Sequence, residues 1–317
     1  MAQVHHQDAA MNDEQIASVL EKLANSFGHS IRSPILETPA KYDLEYENVW
    51  FPSEDGVPLE AWFIPRKGSE KLIIMNHPRW FSRYGFPAHL EPWKSIGAAT
   101  GNDFEVNFMR DYKILHDAGY NTLTYDLRNF GHSGSANGGV TSNGVYESRD
   151  VIGSLTYARS RKDLQRMTTG LFSRCLGCAA TIFAMARRPD QFSDVKCFIA
   201  LQPLSIRAIM EKALERMKIP AHRIDELDRG IKLATSFSMD DTSPVKPAKS
   251  VTVPTFMYQV HDDLMTSPRD VQAIFDNIPI KEKELFWIRG TTRRWDGYNY
   301  FAKDPSKMLA WLEKYLR

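Results

Sequence analysis

Cysteine is scarce in this chain. Cys175, Cys178 and Cys197 are the only three in 317 residues, too few and too clustered for a disulfide framework, which fits a reducing compartment. Long apolar runs are missing too: no stretch approaches the roughly 18 apolar residues of a membrane helix. The first residues, MAQVHHQDAAMNDEQ, lack the charged head and apolar core of a secretion leader. Charge of one sign is also lacking, because 40 Lys and Arg against 39 Asp and Glu leave a net charge of +1. No overall field would draw the chain to nucleic acid or a membrane surface. The expectation is a cytoplasmic protein with no nucleic-acid or membrane partner, no metal and no cofactor. Histidine is thinly spread, at positions 5, 6, 29, 77, 89, 116, 132, 222 and 261, and none follows His261.

What the chain has is a globular composition. A hydrophobic share of 43% over this length supports one large α/β domain with an insertion, or two smaller domains. The most informative stretch is Met167 to Ala180, MTTGLFSRCLGCAA. Met167 to Phe172 reads as a short buried strand, Ser173 to Gly177 as a tight turn, and an Ala-rich helix follows at once. Small residues two before and two after Cys175 suit a strained turn that presents a nucleophile. A thiol there lies at a helix N-terminus, where backbone N–H groups and the dipole favour the thiolate. Cys175 is the candidate reacting atom. Two other readings fit the same residues: Cys175 and Cys178 form a C-x-x-C, as in a thioredoxin-type redox site, and a free cysteine on a core helix is commonly buried and inert. Gly131-His-Ser-Gly-Ser135 resembles a serine elbow, but it is too rich in turn formers to open a helix.

Residues 13 to 27 place Ile16, Val19, Leu20, Leu23 and Phe27 on one face of a helix that packs or dimerises. From Tyr42 the pattern alternates across the Glu54-Asp55-Gly56 turn, predicting a β-hairpin. Buried strands are expected at 71–76, 121–126, 167–172, 195–201, 251–260 and 284–288, with helices between them, which is the signature of a parallel sheet wrapped by helices. Residues 81–108, rich in Gly, Pro and aromatics, read as a long loop that walls a pocket. Residues 206–249 are helical and charged, and read as a lid inserted between two strands. The chain thus divides into an N-terminal extension (1–41), a core (42–205 and 250–317) and the lid.

Over residues 42–317 the order of hairpin, loop after Asn76, YDLRNFGHSG segment, elbow and Asp262-Asp263 loop resembles the α/β-hydrolase superfamily. The strings FPSEDGVPLEAWF, LTYDLRNFGHSG, SRCLG and GTTRRWDGYNYF resemble a subgroup of fungal polyketide transferases and thiohydrolases. That resemblance implies an α/β-hydrolase fold, a mostly parallel sheet flanked by helices with a helical lid. It further implies acyl transfer or hydrolysis of a thioester-bound polyketide chain in secondary metabolism. The substrate would be small or carried on a protein, with a polyketide synthase as partner, and the protein a possible homodimer. A carboxylester hydrolase, a non-hydrolytic cyclase or lyase, or a silent binding protein on the same fold are the alternatives.

The superfamily places its acid after the penultimate strand, where Asp262 or Asp263 fits, and its histidine after the last strand. The chain departs from it there. No histidine follows the last strand, and Arg293 stands about where one is expected. Another proton route is needed, and His77, after a strand ending at the same sheet edge as Cys175, is a candidate base, or else it only shapes the oxyanion loop. Leu176 N–H with Arg79 or Trp80 N–H would hold the oxyanion. Arg174 or Arg293 would favour a thiolate, and Arg293, Arg294 and Asp296 form either a structural ion pair or a contact for a charged tail.

Overall fold

The apolar runs become the strands of one sheet. In the computed structural model, which describes residues 11–29 and 31–317, these are β1 (Glu47–Pro52), β2 (Pro58–Ile64), β3 (Lys71–Met75), β4 (Asn121–Tyr125), β5 (Thr168–Arg174), β6 (Val195–Leu201), β7 (Thr255–Val260) and β8 (Lys283–Ile288). The leading residues, 1–10, read above as free of a secretion signal, lie outside the described ones. Across the sheet the order is β1-β2-β4-β3-β5-β6-β7-β8. β2 runs antiparallel to both of its neighbours, and every pairing from β4 to β8 is parallel. The carboxyl ends of β3, β5, β6, β7 and β8 therefore share one edge, where ligands of open α/β sheets bind.

Side chains on a strand alternate between faces, so a sheet covered on both sides needs apolar residues at every position. Ile73, Phe172, Ile199 and Tyr258 join one core, and Ile74, Leu171, Phe198 and Met257 join the other. The helices Ser148–Ser160, Leu176–Arg187 and Pro268–Asn277 cover the second core; Met109–Asp117 and Ser306–Tyr315 cover the first. The strand expected from 251 starts only at Thr255. Pro254 has no N–H for a ladder, and Pro247–Ser250 is a 3₁₀ turn.

The segment expected to be a lid supplies two helices, Ile206–Arg216 and Ile224–Thr235. Against the second lies the N-terminal helix, Asp13–Gly28, opened by an Asn12–Gln15 capping box. Ala24 packs on Gly230 and Gly28 on Thr235. Burying Ile16, Leu20 and Phe27 is worth about 1.5–3 kcal/mol per side chain, so docking rather than propensity holds this helix. Its apolar face, left open to a second copy by the sequence, is covered by its own chain. The long aromatic segment, expected to be a plain loop, contains a short helix (Trp93–Ala98) and a two-stranded ribbon pairing Gly85–Phe86 with Val106–Asn107.

Candidate active site

The turn after β5 is strained in the way the motif predicts. Cys175 has φ +48° and ψ −105°, a region that L-residues rarely occupy and that costs on the order of 1–3 kcal/mol. It is held from both sides: its N–H donates to Leu201 O at 2.8 Å, and its carbonyl accepts the first bond of the following helix from Ala179. Gly177 is required, since a Cβ there would stand 1.8 Å from Asn76 Oδ1. Cys178 sits one turn on, with Sγ donating to Ser173 O at 2.8 Å and to Leu201 O at 3.3 Å. Burial pushes its thiol well above the usual range. All three cysteines are free, and a redox pair does not fit a second thiol tied to backbone carbonyls.

Cys175 is 9% exposed and lines a cavity of about 200 Å³. Its walls come from the N-terminal helix, the helix Ile206–Arg216, the Pro78–Phe81 loop and the turn near Thr100, and they are mostly apolar: Phe27, Ile96, Ile209, Met210 and Trp295 are typical. Leu176 opens a helix, so its N–H has no carbonyl one turn back. Trp80, half-buried with φ +67°, lies on the facing loop. Neither N–H has an acceptor among the described residues, as an oxyanion site requires.

Across the cavity stands Arg294, not Arg293. The five-residue helix Arg294–Tyr298 puts these two side chains on one face, four residues apart. Arg294 donates through Nε to the Tyr298 hydroxyl at 2.9 Å and through Nη1 to Asp263 Oδ2 at 2.6 Å, and Nη2 bonds Gln202 O. Asp263 is held in turn by Gln259 Nε2 at 3.2 Å and Met265 N–H at 2.8 Å. Gly297 lies so close to the Gln202 amide that a Cβ would come within 2.6 Å of it. Burial opposes a charge on Arg294, but the Asp263 carboxylate beside it offsets this and the guanidinium stays protonated. Burial pushes the Tyr298 hydroxyl well above its usual range, against the pull of the Arg294 guanidinium. Tyr298 thus remains a neutral donor facing the thiol. A line Cys175, Tyr298, Arg294, Asp263 occupies the place where a histidine and its acid were sought.

Several expected residues lie elsewhere. His77 is fully enclosed: Nε2 accepts Leu127 N–H at 3.0 Å, Nδ1 bonds Pro78 O at 2.7 Å, and Phe130 packs edge-on at 5.2 Å. Both nitrogens are occupied and burial lowers its affinity for a proton, so a base role does not fit this geometry. Among the described residues no histidine lines the cavity. Asp262 is exposed and bonds His261 at 2.7 Å, leaving Asp263 as the carboxylate that faces inward. Arg293 and Asp296 pair with each other at 3.0 Å on an outer groove, where Arg293 covers Phe104 at 4.6 Å. Arg174 points away from the cavity, to Asp111 at 2.6 Å and between the rings of Phe108 and Phe172. The YDLRNFGHSG segment is structural: buried Arg128 binds Asp55 and Asp150, and Asp126 pairs with Arg83.

Solved structures share this fold. The esterase Pf2001 of Pyrococcus furiosus superposes with a TM-score of 0.68 at 18% identity, covering 92% of this chain and 99% of that one. The α/β hydrolase GrgF from Penicillium sp. sh18 gives 0.55 at 17%, over 86% of this chain and 99% of its own. Dienelactone hydrolase from Anabaena variabilis gives 0.52 at 16%, over 86% and 99%. The chain has the α/β-hydrolase fold. At these identities the likeness shows the fold alone. No protein-family model matches the chain, and no curated relative does. No helix among the described residues is long and apolar enough to cross a membrane.

Tyr298 and Gln202 were missed in the sequence, where Arg294 is grouped only with Arg293 and Asp296. The i, i+4 spacing of Arg294 and Tyr298 was the available signal, since it places both on one helical face.

Proposed function

We propose that this α/β-hydrolase-fold chain takes an acyl group from a thioester onto Cys175 and passes it to an alcohol or water. The observation that carries the reading is the cysteine at φ +48° on the floor of an apolar cavity, faced by a tyrosine and arginine instead of a histidine. In the first step Cys175 Sγ attacks the thioester carbonyl, and Leu176 N–H with Arg79 or Trp80 N–H takes the oxyanion. The tetrahedral intermediate expels the carrier thiolate, and the proton lost by Cys175 ends on that sulfur, with the Tyr298 hydroxyl between them. One thioester replaces another, so the step is close to balanced, and a thiolate leaves with little acid assistance. An oxygen ester must expel a far more basic alkoxide. The site favours the substrate that needs the histidine least. The polyketide nature of the chain, and a synthase as its carrier, rest on the resemblance of the sequence strings.

The competing reading is a silent protein that binds a small molecule, and it is favoured by the burial of Cys175 and the absence of a histidine from the cavity wall among the described residues. Intact-mass spectrometry separates the two. Incubation with an acyl N-acetylcysteamine thioester should add one acyl group to the wild type and none to Cys175→Ala, while the matched oxygen ester reacts about 10²–10⁴-fold more slowly. Binding without an adduct would leave the silent protein, and equal rates on the two esters would favour a carboxylester hydrolase.

A further inference from the structure

Two of the three cations lining the cavity beside Cys175 have no carboxylate within ion-pair distance among the described residues: Arg216, which is exposed, and Arg79, which is buried. The cavity's charged lining residues are Arg79, Arg216 and Arg294, with no aspartate or glutamate among them. Arg294 is spent on Asp263, Tyr298 and Gln202, and Arg216 donates to Leu264 O at 2.5 Å. Arg79 is different. It is 7% exposed, its Nη2 bonds Phe27 O, and its plane lies over the Phe27 ring at 4.3 Å. Its Nε and Nη1 are buried and have no partner among the described residues, and no carboxylate there forms an ion pair with it. A buried cation left in this state is costly unless something neutralises it. Burial lowers its hold on the proton to about 10, against the charge of the buried Glu147 carboxylate, which lies beyond ion-pair distance and leaves Nε and Nη1 without a partner, so Arg79 is charged at neutral pH.

We propose that Arg79 is a recognition site for a carboxylate, so that the acyl groups taken into this cavity carry an acid function besides the reacting carbonyl. The proposal rests on the reading of the cavity as an acyl site. A single guanidinium with spare N–H donors matches the single charge and two oxygens of a carboxylate. The apolar walls formed by Ile96, Ile209 and Met210 suit the hydrocarbon between the two ends and offer little to a polyvalent anion such as phosphate. Acylation strengthens the requirement, because a Cys175 thioester carries no charge and cannot serve as the counter-ion itself.

Binding rather than turnover tests this, so that a failure of the Cys175 chemistry leaves the measurement intact. Titration calorimetry of the full chain with octanoate and with octanamide should show the acid binding about tenfold more tightly. In Arg79→Gln, which keeps a donor for the Phe27 carbonyl, and in Arg79→Met, the two ligands should bind equally. Arg216→Gln should keep the preference. Equal affinities in the wild type would overturn the proposal, as would an octanoate preference that survives at Arg79→Gln or Arg79→Met. If neither variant folds, the wild-type comparison still decides whether a carboxylate site exists, and loss of the preference in Arg216→Gln would overturn its assignment to Arg79. A preference without any acyl adduct would retain the carboxylate site and discard the transfer chemistry.

Discussion

The elbow after β5 and the loop after β8 meet across one cavity, and they are held by different forces. Backbone fixes the elbow: Cys175 donates its N–H to Leu201 O, and Gly177 lets Asn76 close in, with no side-chain charge involved. Buried charge fixes the loop, where Arg294 and Asp263 are each about 1% exposed and are satisfied only by each other and by Tyr298, Gln202, Gln259 and Met265. A site anchored by backbone tolerates replacement of its side chain, whereas one anchored by a buried ion pair does not.

The largest stability effect should therefore come from the loop. Asp263→Ala leaves Arg294 buried without a counter-charge and should cost about 3–5 kcal/mol, the usual penalty for stranding one ion of a buried pair. Cys175→Ala, which removes the reacting atom itself, should stay within about 1 kcal/mol of wild type, because the turn does not depend on its side chain. Urea unfolding of both variants measures the contrast. Adding Arg294→Met to Asp263→Ala should recover most of the loss, since the stranded charge is then gone. Similar costs for the two single variants would show that the elbow, too, depends on its side chain.

The same difference explains what could be read from the sequence. The elbow is local: strand, turn and helix are contiguous, and every residue that shapes it apart from Asn76 and Leu201 lies between Thr168 and Thr181. The sheet was legible for a similar reason, each parallel strand being an apolar run of its own and the first two an alternating hairpin. The charged loop was not. Whether Arg293 or Arg294 turns inward depends on the phase of a single helical turn, and that phase is set from afar, by Trp295 N–H on Asn102 Oδ1 at 2.8 Å and by Gly297 against Gln202. His77 shows the same limit. Its place at the end of β3 followed from the sequence, but its partner, Leu127 N–H, belongs to the loop after the neighbouring strand, β4.

A smaller effect, visible through pH, concerns that histidine. His77→Ala leaves Leu127 N–H buried and unpaired, which should cost about 1–3 kcal/mol. Burial depresses the affinity of the folded ring for a proton below the ordinary value of 6.5, so the unfolded chain takes up a proton first as the pH falls. The stability contributed by neutral His77 is complete above that value and is lost as pH falls toward the folded one. Wild type should thus lose stability between pH 7.5 and 5.5 relative to His77→Ala. Asp150 and Asp111, pushed up by burial to about 7 and about 6, act in the opposite sense but equally in both proteins, so the difference isolates His77. An unchanged pH slope, together with loss of an acylation limb, would restore His77 as a base.

The smallest effect should come from Arg293, and its smallness is informative. Arg293 and Asp296 are three residues apart, with side chains 51% and 27% exposed, and solvent-facing pairs of this kind contribute roughly 0.2–1 kcal/mol. Arg293→Ala also removes the contact over Phe104, worth about another 0.5–1 kcal/mol at an exposed site. The variant should fold, lose no more than about 2 kcal/mol in all, and acylate Cys175 from a small thioester at the wild-type rate, because the side chain lies on the outer groove and not on the cavity wall. A protein-borne thioester offers a sharper comparison. If Arg293 meets the charged tail of a carrier, Arg293→Ala should slow acylation from the carrier alone and leave the small thioester unaffected. A slower reaction with both would place Arg293 in the chemistry after all, and would mean that the inward-facing Arg294 does not replace the missing histidine by itself.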